Sequence, residues 1–202
     1  MSELASSPPP RRLRADAQRS ITAILDAATR VLGQRPDASM EDIAKAAGIS
    51  RQTVYAHFPS RDALLGVLFD RVTEQVLAAI DAADLDSGPA DQALVRFLEI
   101  GWQAFDADPF LLHLAEPPLT PQQERARHEP LLYRLEQLVR RGQRSGAFDP
   151  DLPVAWILSA TLALGHTAGE EVRAGRMTSA QAIDVLRRGI PRLFRAENSL
   201  TP

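Results

Sequence analysis

The chain has 202 residues, 45% hydrophobic and 24% charged, which is enough for one large domain or two small ones around a buried core and unlike a disordered polymer. It has no cysteine, which excludes disulfide frameworks, zinc–thiolate sites and thiol chemistry and is compatible with a reducing cytoplasm. The net charge of −3 excludes a uniformly basic nucleic-acid binder, yet Arg11 to Arg61 holds nine basic residues against five acids, while position 62 onward holds 14 arginines against 20 acids: a small basic module on an acidic body.

Taken in chain order, residues 1–14 read as a flexible basic arm. They carry no apolar run that would serve as a secretory signal. Pro8-Pro9-Pro10 is expected to stay out of any helix, and Arg11, Arg12 and Arg14 follow it. Ile21, Ile24, Leu25, Ala28, Val31 and Leu32 then recur at helical spacing, which predicts a helix over 17–32 ended by Gly33 and Pro36. Ser39 with Asp42 three residues later is a capping box that opens a short second helix, stopped by Gly48. A third helix follows Ser50 to about His57. Ser60 caps a fourth whose apolar face persists to about Ala83. The remaining segments, 89–107, 109–115, 121–145, 153–174 and 179–196, are all helical in pattern, and no strand alternation is present. The expected fold is all-α with about nine helices. A DNA-binding domain would span 15–61 and a body 62–202. Pro153 to Gly169 is an uncharged run of 17 residues, counting His166 as neutral. It is short for a bilayer and includes Ser159, Thr161 and Thr167, so it reads as a buried helix and not a membrane span.

The stretch Ser39–Arg61 carries the chemistry. Two short helices joined by a turn containing Gly48 match a helix-turn-helix. Ala44 is small enough for the helices to approach, Gly48 can take positive φ, and Ile43, Ala47, Ile49 and Val54 form a miniature core. Outside that core lie Ser50, Arg51, Gln52, Thr53, Tyr55, His57 and Arg61. Each can donate a hydrogen bond, and no acid lies between Ser50 and Arg61. A helix that reads the major groove needs that set: arginine for guanine, glutamine for adenine and hydroxyls for phosphates. An ordinary pair of small helices, with Tyr55 in the core and Arg51 in solvent, is the competing reading.

This segment resembles the TetR/AcrR transcriptional regulators. The likeness rests on Met40-Glu41-Asp42-Ile43-Ala44-Lys45-Ala46-Ala47-Gly48-Ile49-Ser50 and on Thr53-Val54-Tyr55-Ala56-His57-Phe58-Pro59-Ser60-Arg61-Asp62-Ala63-Leu64-Leu65. The resemblance implies that Arg51, Gln52 and Thr53 face base edges, that Tyr55, His57 and Arg61 contact phosphates, and that Ser39 places its hydroxyl and nearby amides at another phosphate. Phe58 would tie the module to the fourth helix. Arg11, Arg12 and Arg14 would either add contacts from the arm or form a solvated tail. The same likeness implies a homodimer on a double-stranded DNA operator, a small-molecule effector held in the body, repression as the default and a cytoplasmic, nucleoid-associated location.

One short helix buries too little to be specific, so a DNA reader of this size is expected to be a symmetric dimer. The last two helices are the interface candidates, with Trp156, Ala160, Ala163 and His166 on one and Ile183, Leu186 and Ile190 on the other. Apolar residues on nearly all sides of 153–174 predict burial all round. The competing reading is a purely internal core, with His166 a satisfied buried histidine. By resemblance, Phe97, Trp102, Phe105, Phe110, His113, Tyr133 and Trp156 are candidates to line an effector pocket, although aromatics at helical spacing also serve as plain core. Two rival functions remain. An all-helical enzyme finds no H-E-x-x-H, Walker, G-x-S-x-G or G-x-G-x-x-G motif, and a metal near His166, Glu170 and Glu171 is its one foothold. A helical adaptor that has lost DNA binding is opposed by the basic residues at 51 and 61 and the Tyr55/His57 pair. No cofactor and no resident metal are expected.

Overall fold

The computed structural model describes residues 10–108 and 120–196. Eight helices are present among them: α1 (Pro10–Gln34), α2 (Met40–Ala47), α3 (Arg51–His57), α4 (Arg61–Ala82), α5 (Ala90–Ala107), α6 (Pro121–Arg144), α7 (Val154–Arg173) and α8 (Ser179–Leu193). The fold is all-α, as expected. The additional helix expected at 109–115 lies outside the described residues. The chain divides into two compact units between Asp70 and Arg71, inside α4, and not at the 61/62 boundary suggested by the motif.

In the first unit, α1 begins at Pro10, earlier than its apolar stripe suggests. A proline costs nothing at the first helical position, where its missing N–H would have had no partner. Arg11, Arg12 and Arg14 therefore lie on the first turns of α1 and not on an extended arm. Gly33 does not end α1 either; the helix continues to Gln34 and stops before Pro36, which disfavours helical backbone in the residue preceding it. Ile24, Ala28 and Leu32 of α1 are buried with Ile43, Ala44, Val54, Phe58, Leu64 and Leu68. Met40 and Ala44 are enclosed as well, whereas Ala47 and Ile49 of the expected miniature core are only half-buried.

In the second unit, α5 packs on α6 and α8, and α7 packs on both α6 and α8. Its core includes Leu94, Trp102, Leu135, Val139, Phe148, Ile157, Leu158, Ile190 and Phe194. The turn between α4 and α5 is gripped by two arginines. Arg141 of α6 donates to the carbonyls of Leu85 (2.5 Å) and Gly88 (2.7 Å), and Arg96 of α5 donates to Ser87 (3.2 Å). Beyond α6, Gly146 sits at φ 72° while the Ala147 N–H returns to the Gly142 carbonyl at 2.9 Å and the Gly146 N–H to that of Gln143 at 3.2 Å. This is a Schellman closure, and only glycine takes its left-handed position without strain. Phe148 then folds back over Gly142, and the chain pairs with the residues after α8 through a Phe148–Arg195 bridge and an Asp149 N–H to Phe194 carbonyl bond of 2.9 Å. No helix among the described residues is long and apolar enough to cross a membrane.

Candidate nucleic-acid interface

The helix-turn-helix is fixed by its caps. The Ser39 Oγ accepts from the Asp42 N–H at 3.2 Å, and the Asp42 carboxylate accepts from the Ser39 N–H at 2.9 Å and from its hydroxyl at 2.8 Å. These bonds from Ser39, with Arg35 3.5 Å away, hold the Asp42 carboxyl below its usual range. Gly48 closes α2 at φ 66°, and its N–H bonds back to Lys45 at 3.2 Å. An added methyl there would meet nothing within 4 Å, so the glycine is required by backbone conformation and not by crowding. Ser50 caps α3 by accepting from the Thr53 N–H at 3.1 Å, and its hydroxyl also pairs with that of Thr53 at 2.8 Å. The hydroxyls of Ser39, Ser50 and Thr53 thus shape the motif before any ligand is considered.

The structure brings the remaining predicted residues to one neighbourhood. Arg51, Gln52 and Tyr55 are exposed on α3, while Thr53 and His57 are half-buried. Val54 between them is fully enclosed and anchors the helix. The His57 ring lies 6.5 Å from that of buried Phe58. Tyr55 is on the surface and not in the core, with the Arg51 guanidinium 5.4 Å from its ring centroid. Arg61 differs from expectation: its Nη2 donates to the Pro36 carbonyl and ties the start of α4 to the loop after α1. The sequence reading missed Glu41. Its Oε2 lies 3.4 Å from Arg51 Nη1, a pairing across two helices and 10 positions that no local motif announces.

The candidates in the body are scattered. Trp102 is buried, and its indole N–H donates to Ser179 Oγ at 2.7 Å; that hydroxyl donates in turn to Asp106. Phe105 tilts against Trp102 at 5.5 Å, and Phe97 is half-buried. Tyr133 is 56% exposed on α6. Phe110 and His113 lie outside the described residues. Of the interface candidates, Leu186 and Ile190 are buried within the chain's own core. Ala160, His166 and Ile183 are half-buried and Ala163 is exposed. Within the single chain, Trp156, 58% exposed, and Leu164 leave part of 153–174 uncovered. Val185 and Leu193 add apolar surface on α8. The His166 ring lies 5.2 Å from that of His128. Glu171 is held by Arg176 at 2.6 and 2.7 Å, which lowers its pKa, and no cluster of three potential metal ligands occurs among the described residues.

Residues 24–68 match the family described as "Bacterial regulatory proteins, tetR family". The HTH-type transcriptional repressor LfrR of Mycolicibacterium smegmatis is 35% identical over 170 residues, covering 84% of this chain and 87% of that protein. The crystal structure of LfrR in complex with proflavine superposes with a TM-score of 0.62 at 31% identity, covering 85% of this chain and 95% of that one. The HTH-type transcriptional regulator EthR of Mycobacterium tuberculosis is 48% identical over 71 residues, 34% of this chain and 32% of that protein. The fatty acid degradation regulator FadR of Bacillus halodurans, with a TM-score of 0.71 at 16% identity over 95% of this chain and all of that one, shares the fold. The helix-turn-helix built by Ser39, Gly48 and Ser50, and the likeness to LfrR along most of both chains, identify a non-enzymatic DNA-binding transcriptional regulator: the chain belongs to the tetR family.

Proposed function

We infer that this regulator is a homodimeric repressor that binds a palindromic operator in the cytoplasm, at the nucleoid, and is released by a small molecule. The observation that carries the reading is α3. Its surface presents Arg51, Gln52 and Tyr55 without an acid, and buried Val54 fixes it to the module. Arg51 and Gln52 address base edges, where guanine offers two acceptors and adenine a donor–acceptor pair. Tyr55, His57 and Arg61 serve the phosphate backbone, the last after exchanging its Pro36 carbonyl for a phosphate oxygen. Ser39, at the N-terminus of α2, places backbone amides toward another phosphate. Arg11, Arg12 and Arg14, on the first turns of α1, add positive charge to the module.

A dimer would place two copies of α3 in successive major-groove turns, about 34–36 Å apart. The apolar surface of Trp156, Ala163, Leu164, Val185 and Leu193 supports self-association through α7 and α8, since apolar side chains exposed in a single chain are what a partner copy covers. An aromatic or amphipathic effector is the class suggested by Trp102, Phe105 and Phe97 on α5, and proflavine bound to LfrR is an aromatic cation. Such a ligand acts only if it binds the DNA-competent and DNA-incompetent states with different affinity. Helix α4, which starts in the first unit and ends in the second, is the element through which it would act.

The test is a titration of the duplex upstream of the gene with purified protein, at two salt concentrations and with random-sequence competitor. Binding that survives competitor is the expected result. Binding to every duplex alike, lost as salt rises, would overturn the operator reading. Light scattering of the same sample should return twice the chain mass, and a monomer at micromolar concentration would overturn the dimer.

A further inference from the structure

Arg51 is the first residue of α3 and Glu41 lies in the first turn of α2. They meet at 3.4 Å across the turn, with both side chains largely exposed at 64% and 74%. The other acid of that turn, Asp42, is occupied by Ser39 and Arg35. Glu41 is thus the acid available to Arg51, and the guanidinium also stacks beside the Tyr55 ring at 5.4 Å. The side chain expected to read guanine is therefore held by a carboxylate and an aromatic face.

We propose that Glu41 is a brake on operator affinity: its carboxylate holds the Arg51 guanidinium against Tyr55 until a guanine edge, with two acceptors side by side, displaces it. The inference rests on Arg51 as a base reader. A guanine edge presents O6 and N7 together and takes the guanidinium as a fork, whereas a sequence without guanine at that position offers Arg51 no such pair of base acceptors. A competing carboxylate therefore subtracts most from operator binding, which must break the pair, and little from binding to random DNA, where Arg51 can stay on Glu41. Glu41 acts through Arg51 and needs no contact with DNA.

The test compares two duplexes of equal length at low salt: the one that the wild-type chain enriches from a random-sequence library, and an unselected one. Glu41→Gln removes the charge and keeps the shape. Glu41→Asp keeps the charge but is a methylene shorter and loses its reach. Both variants should tighten selected binding by about two- to fivefold, the range of an exposed ion pair, and tighten unselected binding by less. The ratio of selected to unselected affinity rises, and the change vanishes when Arg51→Ala is present in the same chain. Circular dichroism melts verify that each variant is folded. The proposal is overturned if E41Q tightens both duplexes equally while E41D does nothing, which is bulk repulsion, or if the shift persists without Arg51. A wild-type chain that enriches no sequence fails the base-reading function itself, and the role of Glu41 falls with it.

Discussion

Replacing Gly142 with alanine should destabilise the protein, against the usual direction for this change. In a helix interior the substitution ordinarily gains about 0.5–1 kcal/mol, because glycine loses more backbone freedom on folding. Here the new methyl carbon would fall 2.1 Å from Cδ2, 2.4 Å from Cε2 and 2.9 Å from Cγ of Phe148. Comfortable carbon–carbon contact starts near 3.5 Å on the usual scale, so the ring must retreat by more than about 1 Å. It has nowhere to go. Phe148 is 0% exposed, its N–H is bonded to the Gly142 carbonyl at 3.1 Å, and the next residue is bonded to Phe194. Overpacking of this kind costs about 1–3 kcal/mol, and outright loss of the ring's packing sets a ceiling of about 3–5 kcal/mol. After the propensity gain, the net loss should be about 0.5–2 kcal/mol. Urea unfolding followed by far-ultraviolet circular dichroism reads it as a lower midpoint at constant slope. The same substitution in a Phe148→Ala background has no ring to strike and should stabilise. An alanine at 142 that leaves the Phe148 protein as stable as wild type, or one that costs equally in both backgrounds, would refute the argument.

Arg51→Ala should narrow the gap between operator and random DNA, whereas Arg61→Ala should weaken both by one factor; competition titrations separate the two, and equal losses for Arg51→Ala would remove its base-reading role. Arg61→Ala should also lower stability by about 1 kcal/mol in denaturant titrations, because the Pro36 carbonyl loses its donor. Asp42→Asn should be destabilising at neutral pH, with a deficit that closes under acid. The folded pKa of Asp42 is depressed, so its contribution is complete above the unfolded carboxyl value of about 4 and is lost as pH falls through the lower folded one. A deficit independent of pH would show that the charge of Asp42 contributes nothing. Ser179→Ala leaves the buried Trp102 N–H without its acceptor and should cost about 1–3 kcal/mol in urea unfolding, while Ser179→Thr should restore most of it; an unchanged midpoint for the alanine variant would mean the bond is not made in solution.

The DNA-binding module was legible because its determinants are local. Ser39 and Asp42 are three residues apart, Gly48 marks a left-handed turn, and the spacing of Ile43, Ala44 and Val54 defines a face. The start of α1 was not legible, since a proline that breaks a helix interior is neutral at its first position. In the body the difficulty was different. Periodicity shows that a helix has an apolar face but not which neighbour covers it. Leu186 and Ile190 turned inward while Trp156, Val185 and Tyr133 stayed outside. The contacts that organise the site and body are also distant in sequence. Trp102 and Ser179 are 77 positions apart and Arg141 and Leu85 are 56 apart, and no pattern in one chain announces such pairs.

The two tryptophans have a consequence of their own. Trp102 is enclosed at 4% exposure with its indole N–H bonded, while Trp156 is 58% exposed at the surface proposed for self-association. The emission of the chain is thus the sum of a shielded indole and a wet one, and a water-borne quencher such as iodide reaches only the second. Assembly would shelter Trp156 and leave Trp102 unchanged, whereas an aromatic molecule settling against α5 would perturb Trp102 first. The chain carries two built-in optical reporters, one for each event, and replacing either indole with phenylalanine assigns the signals.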